Sequence, residues 1–218
     1  MAAETETPKG VFISFEGGDG TGKSTQINRL AEKLRSVGRN VVTTREPGGS
    51  PGADAIRALL LEGDPGRWSS LTEALLMYAS RADHLERTII PALANGAVVI
   101  SDRFADSTMA YQGLAGSLGE NTVKTLHDIV VGNRDPDLTI ILDLPVEHGL
   151  KRAVTRGGEQ RFESKGARYQ EDVRQAFLEI ARREPKRCTL VDARDDVDAV
   201  AERVFAAVRS RFPDIFSV

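Results

Sequence analysis

The chain has a single cysteine, Cys188, so no internal disulfide can form and the compartment it implies is a reducing one. No apolar run approaches the roughly 20 residues needed to span a bilayer. Residues 1–10 are polar and acidic, without the basic start and apolar stretch of a secretory signal. These absences lead us to expect a cytoplasmic protein with a flexible tail over residues 1–10 and no membrane partner. An excess of charge of one sign is missing too: 29 Lys and Arg face 32 Asp and Glu, for a net charge of −3. A general nucleic-acid binder more often carries a basic domain or stripe, so no nucleic acid is expected as partner. Repeats, low-complexity tracts and interdomain linkers are absent as well. At 218 residues one compact domain is the default, and residues 11–218 are read as that domain.

What is present is an alternation of short apolar runs with helical patterns. Val11-Phe-Ile-Ser-Phe15 reads as a strand ending in a glycine-rich turn, after which Ile27, Leu30, Leu34 and Val37 recur at helical spacing. Similar runs lie at residues 41–44, 97–101, 138–144 and 188–191. Strands separated by helices require crossover connections, so the expected fold class is α/β: a parallel five-stranded sheet with helices on both faces. A helix is expected over residues 70–95, with Leu71, Leu75, Tyr78, Ala82, Leu85 and Ile89 as one apolar stripe and Met77, Arg81 and His84 on the adjacent face. Two glycine-rich stretches, residues 47–52 and 156–166, are read as mobile substrate loops.

Residues 17–24 read GGDGTGKS, which fits the G-x-x-x-x-G-K-[ST] pattern between a strand and a helix, where the mechanism requires it. Glycines let successive backbone N–H groups face phosphate oxygens, and the helix N-terminus adds a favourable dipole. The ATP-binding residues are thus Gly17, Gly18, Asp19, Gly20, Thr21, Gly22, Lys23, Ser24 and Thr25. Lys23 is placed to reach the β/γ-phosphates and Ser24 to hold Mg²⁺.

Such a loop leaves the acceptor open. No Asp-x-x-Gly follows it at a strand end and no Asn-Lys-x-Asp appears, which argues against a switch GTPase. Instead Asp102-Arg103-Phe104 follows the apolar run 97–100. A carboxylate at the C-terminal end of a parallel strand lies on the ligand-binding edge, where Asp102 can face Mg²⁺ opposite Ser24 and Arg103 can clamp a phosphate.

Taken in order, these segments resemble the bacterial thymidylate kinases over residues 11–193. The likeness is carried by the P-loop with its acidic third residue, Thr44-Arg-Glu-Pro-Gly-Gly49, Tyr78-Ala-Ser-Arg81, Asp102-Arg103-Phe104, Ser107-Thr-Met-Ala-Tyr-Gln-Gly113 and Asp135-Pro-Asp-Leu138. The resemblance implies a P-loop kinase that uses ATP with Mg²⁺, accepts thymidine monophosphate (dTMP), and works as a homodimer. It places Asp19 at the acceptor sugar, Arg81 at the thymine carbonyl edge, and Arg103, with Arg45 and Arg57, at the acceptor phosphate. Glu46, Pro47 and Met77 fall in the same acceptor site. Tyr111 is implied as the filter against a 2′-hydroxyl, with Ser107, Thr108 and Gln112 completing that wall.

Residues 152–168 resemble the family's arginine-rich lid, carrying Arg152, Arg156, Arg161 and Arg168. The P-loop has Gly20 where another subclass has arginine, so Arg161, or failing that Arg156, is expected to contact the transferring phosphoryl group. Two positions depart from the pattern: Met77 stands where many members place a stacking phenylalanine, and Gln160 where the lid motif begins with aspartate. The rival readings are a kinase for another nucleotide or nucleoside, with a changed pocket around Arg81, and a non-enzymatic P-loop switch or ATPase.

Overall fold

The computed structural model describes residues 10–64, 66–149 and 166–217. Its strands are β1 (Val11–Glu16), β2 (Val41–Arg45), β3 (Val98–Asp102), β4 (Leu138–Asp143) and β5 (Cys188–Asp192). They form one sheet in the order β2-β3-β1-β4-β5, with every neighbouring pair parallel. The five expected apolar runs each lie on a strand.

Adjacent residues of these strands serve opposite faces, as the period of two demands. Ile13, Phe15, Ile100, Ile140 and Leu142 join a core with Leu30 and Leu34 of α1 (Lys23–Ser36) and Val204 and Val208 of α8 (Val197–Arg211). On the other face Phe12 and Val99 pack with Tyr78, Leu85, Ile89, Phe104 and Val123. Ile141 and Cys188 pack with Phe177 and Ile180 of α7 (Gly166–Arg183). Burial on both faces explains why the strand sequences read as near-continuous apolar runs rather than alternating ones. Each fully buried Phe, Ile or Leu contributes about 1.5–3 kcal/mol relative to exposure, so the central strands are held firmly at the level where the P-loop emerges. The register matters for chemistry: Phe15 pairs with Asp102, which brings the end of β3 beside the residue that precedes the P-loop by two.

The long helix expected over residues 70–95 is three pieces. α3 (Ser70–His84) runs into a π-helical turn (Leu85–Ile89) and then α4 (Ile90–Ala94). Pro91 stands in the first turn of α4, and a proline in an unbroken helix would lose an N–H and clash with the carbonyl four residues back, a conflict that a wider turn relieves. The expected apolar stripe is also corrected. Leu71 and Leu75 are each 47% exposed, whereas Ala74, Tyr78, Arg81, His84 and Leu85 are buried. The inward face is rotated toward the flank that carries Arg81.

The loop after β2 is another correction. Pro51 and Gly52 belong to the first turn of α2 (Pro51–Leu61). The backbone before it is tied down: Gly48 N donates to Ser80 Oγ, Gly49 N to Asp54 Oδ1, and Thr88 Oγ1 donates to Gly49 O. Of the second glycine-rich stretch, only Gly166 lies among the described residues, opening α7; Arg152, Arg156, Arg161 and Gln160 lie outside them. α5 (Ala105–Thr108), a second π-helical turn (Met109–Leu114) and α6 (Glu120–Val130) lie between β3 and β4.

Candidate active site

The P-loop occupies the turn between β1 and α1. Gly17, Gly20 and Gly22 all have positive φ, at 127°, 75° and 95°, conformations open to glycine and costly for other residues. Lys23 folds back over its own loop, donating from Nζ to Gly17 O at 3.1 Å and Gly18 O at 2.9 Å. Burial lowers its pKa to about 8, and Arg103 presses the same way. Asp102, Asp19 and Glu16 oppose that shift, and the cation stands among loop carbonyls where a polyphosphate would stabilise it further. Ser24 Oγ donates to Asp102 Oδ2 at 2.9 Å, so a hydroxyl and a carboxylate oxygen converge at the helix N-terminus.

Arg103 sits at the centre. Among the described residues it is the non-glycine residue with positive φ, 70°, a strained setting for a long side chain that its surroundings must hold. Its backbone N–H donates to Phe15 O at 2.9 Å. The guanidinium donates to Gly17 O, to Ser107 Oγ at 2.9 Å, to Asp19 Oδ1 at 2.7 Å and to the Tyr111 hydroxyl at 3.3 Å. Burial alone would lower its pKa, yet Tyr111, Asp19, Glu16 and Asp102 together hold it above the usual value. The same pairing acts on the partners. Asp19 is lowered, with Arg103 and Lys23 outweighing its burial, and Tyr111 is pushed up to about 12, chiefly by burial.

The third group is buried under the cleft wall. Arg81 is 2% exposed and donates from Nε to Glu46 Oε2 at 2.8 Å and from Nη2 to Thr108 Oγ1 at 3.1 Å. Its guanidinium lies over the rings of Tyr78 and Phe104, at 4.7 and 5.2 Å. Gln112 Nε2 donates to Glu73 Oε1 at 2.8 Å, and Arg57 Nη1 to Pro47 O at 2.7 Å.

One cleft of about 430 Å³ connects these groups. Asp19, Gly20, Gly22, Lys23, Ser24, Asp102 and Arg103 line one end; Glu46, Pro47, Arg57, Met77, Arg81, Ser107, Thr108, Tyr111 and Gln112 line the rest, with Arg45. Gly17, Gly18 and Thr21 line a small adjoining pocket together with Asp19. Thr25 follows Ser24 in α1 and lines neither cavity.

Comparison with known proteins agrees with this geometry. A family model described as thymidylate kinase matches residues 15–204. The chain belongs to the thymidylate kinase family. It is 57% identical over 203 residues to a thymidylate kinase of Caulobacter vibrioides, covering 93% of this chain and 98% of that one. A relative named thymidylate kinase from Ruegeria pomeroyi is 55% identical over 196 residues, 89% of this chain and 92% of that one. Among solved structures, a thymidylate kinase from Ehrlichia chaffeensis superposes with a TM-score of 0.75 at 32% identity, covering 92% of this chain and all of that one.

For this family member, sequence reasoning passed over several residues in and behind the cleft. Glu16 is fully buried at the end of β1, where its carboxylate accepts from Phe104 N at 2.7 Å and Ser107 Oγ at 2.6 Å. It thereby ties the P-loop strand to the segment that carries Arg103. An acidic residue closing an apolar strand was the available signal. Phe104 and Leu61 line the cleft itself. His84, expected merely beside the apolar stripe, is 0% exposed and donates or accepts at both ring nitrogens.

Proposed function

We propose that this cleft transfers the γ-phosphoryl group of ATP to the phosphate of dTMP, giving ADP and thymidine diphosphate for thymidine triphosphate synthesis. The observation that carries the reading is the continuity of the cleft: a P-loop lysine and a Ser24–Asp102 pair open into a pocket walled by Arg81, Tyr111 and Gln112, in a chain of this family.

Lys23 is assigned to the β/γ-phosphates and Arg103 to the acceptor phosphate, with Asp19 holding Arg103 and meeting the acceptor sugar. Arg81 is assigned to the thymine carbonyl edge, and Tyr111 to the place a 2′-hydroxyl would take. The acceptor phosphate is already an anionic nucleophile at neutral pH, so no strong base is needed, and catalysis rests on positioning and neutralisation of charge. The Ser24 hydroxyl and the Asp102 carboxylate are hard oxygen donors that fit Mg²⁺, and among the described residues no cluster of three acidic, His or Cys side chains competes for it. An ion held by so few protein groups takes its other ligands from phosphates and water, and it would supply charge neutralisation at the phosphoryl oxygens. The positive charge that Gly20 does not offer is assigned, on sequence grounds, to Arg161 or Arg156.

The protein is further proposed to be a cytoplasmic homodimer. Leu59 of α2, Leu71 and Leu75 of α3, and Ile129 of α6 are exposed by 42%, 47%, 47% and 74%, apolar side chains that a second copy would cover. No described helix is long and apolar enough to cross a membrane.

The test is ADP formation from ATP with each nucleoside monophosphate in turn, beside a no-acceptor control. dTMP should be preferred. Deoxyuridine monophosphate, lacking one methyl, should lose only about 1–3 kcal/mol in kcat/KM, and uridine monophosphate should be nearly inert. Equal turnover of uridine and thymidine monophosphates would sink the role given to Tyr111, and ADP formation without acceptor would favour an ATPase.

A further inference from the structure

At the base end of the cleft lies a chain of polar side chains, with His84 behind Glu46 and Arg81, the two members that line the cleft. His84 Nδ1 lies 2.9 Å from Glu46 Oε1, and His84 Nε2 lies 2.7 Å from Thr44 Oγ1. Glu46 Oε2 accepts from Arg81 Nε at 2.8 Å. His84, Glu46 and Arg81 are 0%, 6% and 2% exposed. An ionised carboxylate only accepts hydrogen bonds, so the hydrogen between His84 and Glu46 is carried on Nδ1, and the Thr44 hydroxyl takes the complementary role at Nε2.

The consequence falls on Arg81. Nε is engaged by Glu46, Nη2 by Thr108, and the guanidinium carbon lies 4.7 and 5.2 Å from the Tyr78 and Phe104 ring centroids. Nη1 is buried and has no hydrogen-bond partner among the described residues. A buried donor left unmatched costs free energy unless a ligand acceptor meets it. A pocket built this way rejects a base that offers a donor at the same place, because two donors then face each other.

We propose that His84 is a positioning residue that sets base selectivity: by anchoring Glu46 from behind, it fixes the guanidinium of Arg81 and leaves its remaining Nη hydrogens for the base. This rests on the assignment of Arg81 to the thymine carbonyl edge. It also changes the place of Glu46, from a substrate contact to the link between His84 and Arg81. Gly49 supports the arrangement. A Cβ there would meet Thr44 Oγ1 and His84 Nε2 at 2.4 Å each, so the backbone closes directly over the His84–Thr44 contact.

The decisive ratio is kcat/KM for dTMP over that for deoxycytidine monophosphate, since thymine presents a carbonyl oxygen where cytosine presents an amino group. Two amide substitutions separate the two ends of the imidazole. His84→Asn places its amide near Nδ1 and keeps the link to Glu46; His84→Gln reaches toward Nε2 and keeps Thr44 while releasing Glu46. His84→Gln should lower the ratio by about 10-fold or more, mostly through the acceptor KM and with the ATP KM unchanged, as loss of an orienting partner does elsewhere. His84→Asn should stay within about 3-fold of the parent on the same scale. Equal ratios in the two folded variants overturn the proposal. If neither folds, His84→Phe on the same readout decides, since it keeps the ring shape and gives up the contact to Glu46, a ratio equal to the parent's being the refuting result. The parent is measured first: no preference for dTMP there would refute the base-reading role of Arg81 itself, whereas a strong parental preference untouched by these changes refutes only the role of His84.

Discussion

Gly20 is a P-loop position at which the backbone leaves no room. Its φ is +75°, and a Cβ built on it would meet the carbonyl oxygen of Gly149 at 2.2 Å and that residue's carbonyl carbon at 2.8 Å. A Cβ on Gly149 would in turn meet Asp19 O at 2.7 Å, so two backbone segments touch with nothing between them. Gly20→Ala therefore combines two costs: roughly 1–2 kcal/mol for a left-handed conformation with a Cβ, and roughly 1–3 kcal/mol for forcing neighbouring backbone apart. For a domain of this size each kcal/mol lowers Tm by about 2–4 °C, and the sum is a fall of about 10 °C. Two neighbours separate the contributions. Gly22 has φ +95° but nothing within 4 Å of its Cβ position, so Gly22→Ala should show the conformational part alone, about 4 °C. Gly18 has its nearest neighbour, Thr21 Cγ2, at 4.0 Å and no positive φ, so Gly18→Ala should melt within about 2 °C of the parent. Calorimetric melting of the ligand-free variants measures all three. A Gly20→Ala protein that melts no lower than Gly22→Ala would refute the steric argument.

Asp19→Asn loosens the 2.7 Å hold on Arg103 and should lower turnover while leaving ATP affinity little changed; tighter ATP binding with turnover intact would reduce Asp19 to an unfavourable charge. Arg161→Ala and Arg156→Ala, assayed separately, should show one loss of ~10³–10⁵ in turnover; two variants within a few-fold of the parent would return the catalytic charge to Lys23 and Arg103. Burial, reinforced by Asp106, raises the Glu16 carboxyl from 4.5 to about 8. Since the folded value lies above the unfolded one, the stability it contributes is complete below about pH 4.5 and is lost as pH rises through about 8. Glu16→Gln should flatten that part of the profile of Tm against pH, and identical slopes in parent and variant between those limits would contradict the assignment.

The parts of the site that were readable in advance are those whose geometry is local. GGDGTGKS between a strand and a helix specifies its own conformation, because the positive φ values at Gly17, Gly20 and Gly22 and the helix start at Lys23 depend on residues within one turn. The end of β3 was readable for a related reason: a carboxylate directly after a buried parallel strand must emerge on the loop edge, and strand register then sets Asp102 beside Phe15. The five strands followed from apolar runs too short for helices and buried on both faces.

What lay beyond the sequence depends on which face meets which. Leu71 and Leu75 form a stripe by periodicity, but periodicity does not name the covering element, and packing against α2 and the sheet turned the inward face toward Tyr78, Arg81 and His84. The links Glu46–Arg81, Glu46–His84 and Thr44–His84 join residues 35, 38 and 40 positions apart, and Glu16 meets Ser107 across 91. No local pattern encodes such pairings. By itself the sequence determined the phosphate cradle, the parallel sheet and the family. Only the tertiary structure decided which polar residues are buried against one another, because the cost of leaving a buried charge unmatched is settled by whatever distant side chain the fold brings to it.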